Sequence, residues 1–546
     1  MRPSQNGSRT TTWTWTDRSK PKQERDMNIQ DAIHAHNKRA VGRWWLLKYF
    51  GGLALGIFFA LAALGSPLAQ HHYVMPMIVY LLLSAAGWIT FRRAHRRSQR
   101  LVGRGPQDER HERGTFLHDA RAVAPLLDRA PGDLVLGGVP LPRSVEPQHI
   151  LMLGAPGSGK SVALKSLIKT IRDRTRDGAV IHDPTGEFVS LFYDPARDLI
   201  INPLDSRHAP WSLWTDLLPG EEAALAKAII PSAEGDNQYF SDAAQATLEV
   251  LFQQTDCIDD LVMAGLSETN DRLIERLTQA GLGGLVGSSK TFASVRGNMA
   301  PYLRSLALLP NTARGEGLTL KEFCAHPAGR FIFLLTSGRT RETLRPIHQL
   351  FLNQIVSVAT SLRPDPTRRI WLALDEAPVL LPSPAISLAL AEGRKFGLSV
   401  ILAAQAIGQV KHRVGEHEAA ALLSMPKTRL ILRVGDGETA EAMSREIGER
   451  QLERQQVSVS RTAGPQTAAN NSTSTTWQTT TERAVLASEI MSLPDLQGFL
   501  RIEDTTMRVA LTYASYPPVG PDYDPIPPRR LPAVSRALVD IPVPQA

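Results

Sequence analysis

The sequence predicts an α/β fold with an inserted all-helical segment and two apolar helices ahead of it. Three observations predict it. Short apolar runs alternate with helical stretches on either side of a strand-free segment. One of those runs opens into GAPGSGKS at 154–161, which fits G-x-x-x-x-G-K-[ST] at every fixed position. Two almost uncharged stretches of membrane-spanning length lie before residue 92.

Residues 1–45 are polar, with Trp13 and Trp15 in a Thr-rich run, and are expected as a mobile cytoplasmic tail. Residues 46–91 carry the apolar pair, LLKYFGGLALGIFFALAALGS from Leu46 and YVMPMIVYLLLSAAGWITF from Tyr73. Each is about 20 residues, enough as helix for a hydrocarbon layer of about 30 Å. The link between them holds no Lys or Arg, whereas Arg39 and Arg43 precede the pair and Arg92, Arg93, Arg96, Arg97 and Arg100 follow it. That asymmetry predicts a two-helix membrane anchor with both flanks cytoplasmic and a short outward hairpin. A helical hairpin buried in a soluble domain is the alternative. The 546 residues allow two or more domains, and a net charge of +7 leans towards nucleic acid or lipid headgroups. Two cysteines, Cys257 and Cys324, exclude a disulfide framework, and neither has metal-ligand spacing.

The loop at 154–161 carries the first chemistry. Ile150 to Leu153 read as a buried strand, and Val162, Leu164, Leu167, Ile168 and Ile171 recur at helical spacing after it. Gly154, Gly157 and Gly159 permit tight backbone angles and keep side chains away from the N–H groups, with Ala155, Pro156 and Ser158 completing the loop. A helix N-terminus adds donors and a favourable dipole for phosphate. Lys160 would neutralise the β- and γ-phosphates of ATP, and the Ser161 hydroxyl would ligate Mg²⁺.

Residues 92–205 and 326–516 hold the strand-like runs. They are Asp133–Leu141, Ala179–Asp183, Asp198–Asn202, Arg330–Leu335, Arg369–Leu374, Leu398–Ala403 and Arg429–Val434, with Gly498–Tyr516 as an antiparallel pair closing the sheet. Residues 206–325 show only helical periodicity, at 221–230, 239–254, 271–280 and 291–308. Residues 455–481 are Ser/Thr/Asn/Gln-rich and predict a mobile loop. The Pro-rich tail, 517–546, predicts extended chain.

The run IWLAL ends in Asp375 and Glu376. Beside a phosphate loop, Asp375 would hold Mg²⁺ and Glu376 would orient the attacking water. Gln405 follows LSVILAA and would sense the γ-phosphate; an ordinary strand-end glutamine is the other reading. Arg394 in EGRKFG would be one more surface arginine if residue type alone spoke.

The stretches VPLPRSVEPQHILMLGAPGSGKS, VIHDPTGEF, DLIINPLDSR, WLALDEAPVL, EGRKFGLSVILAAQAIGQV and DGETAEAMSREIG span most of 138–448. In order and spacing they resemble the TraD/TraG-type (TrwB-like) coupling proteins of conjugative type IV secretion. The resemblance implies a RecA-like P-loop NTPase domain, a homo-hexamer around a channel and DNA-stimulated ATP hydrolysis on single- or double-stranded DNA. It also implies recruitment of a relaxase–DNA complex, the relaxosome, to the secretion channel proteins. It assigns catalytic roles to Lys160, Glu376, Arg394 and Gln405, with Arg394 reaching into the neighbouring subunit's site, and metal roles to Ser161 and Asp375. Some relatives carry a long acidic C-terminal extension; this chain closes on the Pro-rich tail, and docking through such an extension is not expected.

The function expected is therefore a membrane-anchored hexameric ATPase that couples the relaxase–DNA complex to a type IV secretion channel. Two alternatives stay open: a motor for effector proteins or chromosome partition, and a nucleotide-gated membrane scaffold without turnover.

Overall fold

A computed structural model describes residues 109–527, apart from 128–129, 234, 286–288, 366 and 465–466. The expected N-terminal tail, the two apolar helices and residues 528–546 lie outside the described residues. No helix among the described residues is long and apolar enough to cross a membrane.

The strands are β1 (Glu109–Gly114), β2 (Leu117–Asp119), β3 (Val135–Leu136), β4 (Val139–Pro140), β5 (Ile150–Leu153), β6 (Gly178–Asp183), β7 (Leu199–Ile200) and β8 (Phe331–Leu335). They continue as β9 (Ile370–Leu374), β10 (Leu398–Ala404), β11 (Thr428–Leu432), β12 (Glu449–Gly464), β13 (Thr467–Arg483), β14 (Gln497–Ile502) and β15 (Thr505–Ala510). Ten of them form one sheet in the order β2-β15-β14-β11-β5-β10-β9-β6-β8-β7. From β11 to β7 every pairing is parallel, and the expected antiparallel closure, β14 with β15, sits against β11.

Every residue of β5, β6, β8, β9, β10 and β11 is buried. This is why they read as continuous apolar runs and not as alternation: a parallel sheet is covered on both faces. Alternate side chains feed two cores. Leu151 and Leu153 of β5 join one, and Ile150 and Met152 join the other. On the second face lie α1 (Lys160–Arg172) and α2 (Glu187–Phe192).

Between β7 and β8 the described elements are helices: α3 (Glu222–Ile229), α4 (Gln238–Gln254), α5 (Ile258–Ser267), α6 (Asn270–Gln279), α7 (Ser289–Leu306) and α8 (Leu320–Ala325). Trp211 bridges Gly317, and Leu318 donates to the Pro210 carbonyl at 2.9 Å, so the two ends of the segment are pinned together. The long α9 (Arg341–Ser361) packs against α3, α7 and α8 and buries Ile347, Leu350, Phe351 and Ile355 beneath them.

Two sequence expectations change. The run 133–141 is not one strand but a tight hairpin, β3 and β4, because Gly137 and Gly138 take φ of 58° and 81°. Adjacent positive φ values form the turn that folds a strand back on itself. Residues 455–481, expected as a loop, form most of the antiparallel arms β12 and β13, with β1 pairing at the base. Ser and Thr there have little to bury, but their backbones satisfy one another across the ladder and β-branched Thr suits a strand. Leu452 is the buried residue among the described side chains of the two arms. The tail crosses α2 in extended form: Val519 donates to the Ser190 carbonyl at 2.7 Å and Ile526 to that of Leu204 at 3.1 Å.

Candidate active site

β10 lies between β5 and β9, so the loop after β5 and the acids after β9 emerge at the same sheet edge with one strand between them. The loop is pinned from three sides. Gly154 N donates to the Ala404 carbonyl at 3.3 Å, Ala155 N to that of Arg433 at 2.7 Å, and Leu496 N to that of Ser158 at 3.0 Å. A Cβ on Gly154 would stand 2.5 Å from Ser158 Oγ and 2.9 Å from Leu432 Cβ. At Gly159, φ is 116° and a Cβ would meet Leu496 Cδ2 at 2.9 Å, so both glycines are needed sterically.

Gly159 caps α1 without a side-chain hydrogen bond, and α1 has no acid in its first turn. Its leading N–H groups therefore have no side-chain cap, which leaves them available to an anion. Ser161, on that first turn, is half-buried, with its hydroxyl at the same end. Lys160 is 9 % exposed. Its ammonium donates to the Gly154 carbonyl and lies 3.4 Å from that of Ala155. Burial pulls its pKa below the usual value, and the charges of Glu376 and Asp375 pull it back up. Those acids therefore lie within electrostatic reach of Lys160.

Asp375 has its pKa raised to about 6, first by burial and then by the neighbouring Glu376, with Lys160 opposing. Glu376 sits in the left-handed region, φ 59° and ψ 54°, a conformation that turns the chain sharply off the strand. Gln405, just past β10, donates its side-chain amide to Glu376 Oε2 at 2.7 Å. The structure thus brings Lys160, Ser161, Asp375, Glu376 and Gln405 to one edge.

Arg394 is placed elsewhere. It is exposed on the 3₁₀ turn Gly393–Phe396 before β10, whereas Gln405 follows the strand's far end. Seven strand residues separate the two ends, about 23 Å of extended chain. Arg394 is therefore remote from the loop of its own chain. His149 braces this end: it accepts from Val400 N at 3.1 Å through Nδ1, and its Nε2 lies 3.0 Å from the Leu390 carbonyl.

The end of β6, within VIHDPTGEF, adds two residues to this edge that residue type alone does not mark as part of the site. Asp183 is fully buried and accepts from Gly186 N and Val189 N, each at 2.8 Å, anchoring the start of α2. His182 reaches the Asp375 carbonyl at 2.7 Å through Nδ1. The signal was the polar pair closing an apolar strand beside the acid-bearing one. Only the β6–β9 register, with His182 opposite Leu374, shows what it touches.

A parallel sheet with a glycine loop opening a helix, and acids two strands away across β10, defines a RecA-like P-loop NTPase fold. A family model for the type IV secretion-system coupling protein DNA-binding domain matches residues 133–512. The chain belongs to that coupling-protein family. It is 27 % identical over 469 residues to the coupling protein TraD of Escherichia coli (strain K12), a match covering 83 % of this chain and 63 % of that relative's length. The fold is similar to that of the bacterial conjugative coupling protein TrwBΔN70 in its unbound form: TM-score 0.68 and 26 % identity, over 77 % of this chain and 97 % of that one. TrwB in complex with the ATP analogue ADPNP matches with TM-score 0.68 and 26 % identity, over 78 % of this chain and 99 % of that one. TrwB with ADP and Mg²⁺ matches with TM-score 0.67 and 26 % identity, over 77 % and 98 %.

Proposed function

We propose that this chain is a membrane-anchored, hexameric ATPase that couples a relaxase–DNA complex to a type IV secretion channel and drives DNA through it. Family membership and the bound nucleotides of the TrwB structures support the reading. The observation that carries it is the convergence of the uncapped α1 N-terminus, Lys160 and the Asp375–Glu376 pair at one sheet edge.

The loop 154–161 holds the triphosphate through backbone amides, and Lys160 leaves the Gly154 and Ala155 carbonyls to meet the β- and γ-phosphates. Ser161 and Asp375 are the residues that would hold Mg²⁺, which neutralises phosphate charge when bound. Glu376 accepts the proton of the attacking water, and Gln405 holds Glu376 in place and registers the γ-phosphate. Arg394, at the opposite sheet end, serves a neighbouring subunit's site.

Residues 46–91 supply the inner-membrane anchor with both termini cytoplasmic, 92–205 and 326–516 the motor domain, and 206–325 the all-α domain. DNA binding through its phosphates weakens with salt, with a log–log slope of about −0.7 per neutralised phosphate for single strands.

The test is ATP hydrolysis by the detergent-solubilised full chain, with and without single-stranded DNA, in wild type and Glu376→Gln. Hydrolysis stimulated by DNA and abolished by the substitution is expected. A rate indifferent to DNA, or a Glu376→Gln chain that still supports plasmid transfer, sinks the motor reading.

A further inference from the structure

Behind the acid end of β9, on the face of the sheet that α9 covers, two histidines lie fully buried and edge to face. The ring centroids of His182 and His348 are 6.2 Å apart, with an interplanar angle of 81°. Their tautomers follow from their partners. His182 Nδ1 faces the Asp375 carbonyl at 2.7 Å, and a carbonyl only accepts, so Nδ1 carries the proton and Nε2 is a bare acceptor. His348 Nε2 faces the Ile201 carbonyl at 3.0 Å, so Nε2 carries the proton and Nδ1 is the bare acceptor.

Neither bare nitrogen has a hydrogen-bond partner among the described residues. Burial keeps both rings neutral, with pKa values lowered to about 4 for His182 and about 3 for His348. Two buried acceptors need a double donor, and a water is the group that supplies two O–H bonds. The segment that His348 Nε2 contacts, from Ile201 to His208, holds two further buried nitrogens without a partner among the described residues. The Asn202 amide nitrogen is fully buried without a partner, and His208 Nε2 is also unpartnered. His208 Nδ1 accepts from Asn202 N at 3.1 Å, so its Nε2 bears hydrogen. A metal is not the occupant these residues suit: no group of three or more His, Cys, Asp or Glu among the described residues is arranged to hold one.

We propose that a buried water joins His182 to His348, tying the carbonyl of Asp375 to the Ile201–His208 segment from which the helical insertion begins. His182 is then a positioning residue for Asp375, and His348 passes changes at that carbonyl to the insertion. The inference rests on reading this edge as the ATP site, and its test separates the two.

Amide hydrogen exchange of the full chain is followed over 201–209, with and without the ATP analogue ADPNP and Mg²⁺, alongside direct measurement of nucleotide affinity. In wild type, nucleotide shifts exchange there by about threefold or more. His182→Asn keeps a donor where Nδ1 stood, and His348→Gln keeps one where Nε2 stood, but each removes the acceptor facing the water. Both bind nucleotide with wild-type affinity and lose the shift at 201–209. In hydrolysis, His182→Gln, which loses the Asp375 contact, lowers kcat about tenfold at unchanged KM, and His182→Asn restores it to within about twofold.

Nucleotide bound without any shift at 201–209 in wild type overturns the inference and leaves the ATP-site reading standing. So does a shift that survives in both substituted chains. Failure of wild type to bind nucleotide overturns both. Should the variants not fold, a wild-type structure at water-resolving resolution decides: density between His182 Nε2 and His348 Nδ1 supports the link, and its absence ends it.

Discussion

The side-chain amide of Gln405 donates to the carboxylate of Glu376 at 2.7 Å, across the two strand ends that flank the nucleotide edge. The acid proposed to activate water is thus held by the amide proposed to sense phosphate. Glu376→Gln is expected to lower kcat by about 10²-fold or more with nucleotide affinity nearly unchanged, because general-base catalysis is worth that much. Gln405→Ala leaves the base in place but unrestrained. The loss of one charge-assisted hydrogen bond predicts a fall of about 10- to 100-fold in kcat. Steady-state kinetics of the two variants checks both.

Lys160 is held by carbonyls of its own loop. Replacing it should cost the unliganded fold little, because a desolvated ammonium is removed together with its contacts. Ligand-linked stability is the sensitive readout. A nucleotide at 100 times its Kd stabilises wild type by about 2.7 kcal/mol. Lys160→Ala should lose most of that gain at the same nucleotide concentration while its unliganded melting temperature stays near wild type. A preserved nucleotide-dependent shift would count against the phosphate role.

Arg394 and the phosphate loop of the same chain lie at opposite sheet ends. An Arg394→Ala chain and a Lys160→Ala chain should each be inactive alone, yet regain activity when co-assembled. In an equal mixture one interface in about four pairs an intact loop with an intact arginine, so about a quarter of wild-type activity is expected. No recovery in verified mixed assemblies would remove Arg394 from the site.

Asp375 predicts a pH dependence. Its pKa is about 6, raised mainly by burial. Below that pH the carboxyl holds a proton that metal must displace, so apparent Mg²⁺ affinity should weaken about tenfold per unit as pH falls from 6. Titrations of Mg²⁺-dependent nucleotide binding between pH 5 and 8 would show it. The stability effect has the opposite sign. The folded chain keeps a proton that the unfolded chain has released between the ordinary carboxyl pKa and 6, so this group favours folding at low pH and opposes it above 6. Asp375→Asn without Mg²⁺ should therefore melt higher than wild type at pH 7.5, with the gain shrinking towards pH 5.

The β12–β13 arms offer a separate check. With Leu452 near the base as their buried described side chain, removal of 457–475 across a short turn should leave the core intact. A melting temperature within about 2 °C of wild type is expected. A large loss would mean the arms support the sheet.

Much of this was legible in one dimension because it is local. A strand, a glycine loop and a helix in succession need only a few residues of sequence, and their backbone chemistry travels with them. The buried strands β6, β8, β9, β10 and β11 were legible for a related reason: a sheet covered on both faces leaves an apolar run whatever its neighbours are. The arms at 455–481 were not, since a ladder of polar residues writes no hydrophobic period, and the pairing of β12 with β13 is a backbone property. The helix α8, six residues long, is too short for a helical period to show.

Sequence by itself determined the phosphate loop, the acid pair and the class of sheet, because those follow from nearest-neighbour sterics and from burial. Only the tertiary structure decided that β10 would separate loop from acids, that Arg394 would fall at the far end of that strand, and that His182 would grip the backbone of Asp375. Strand order and register are set by packing between residues far apart in the chain, such as His182 and Asp375, 193 positions from each other, and no local pattern along the chain encodes them.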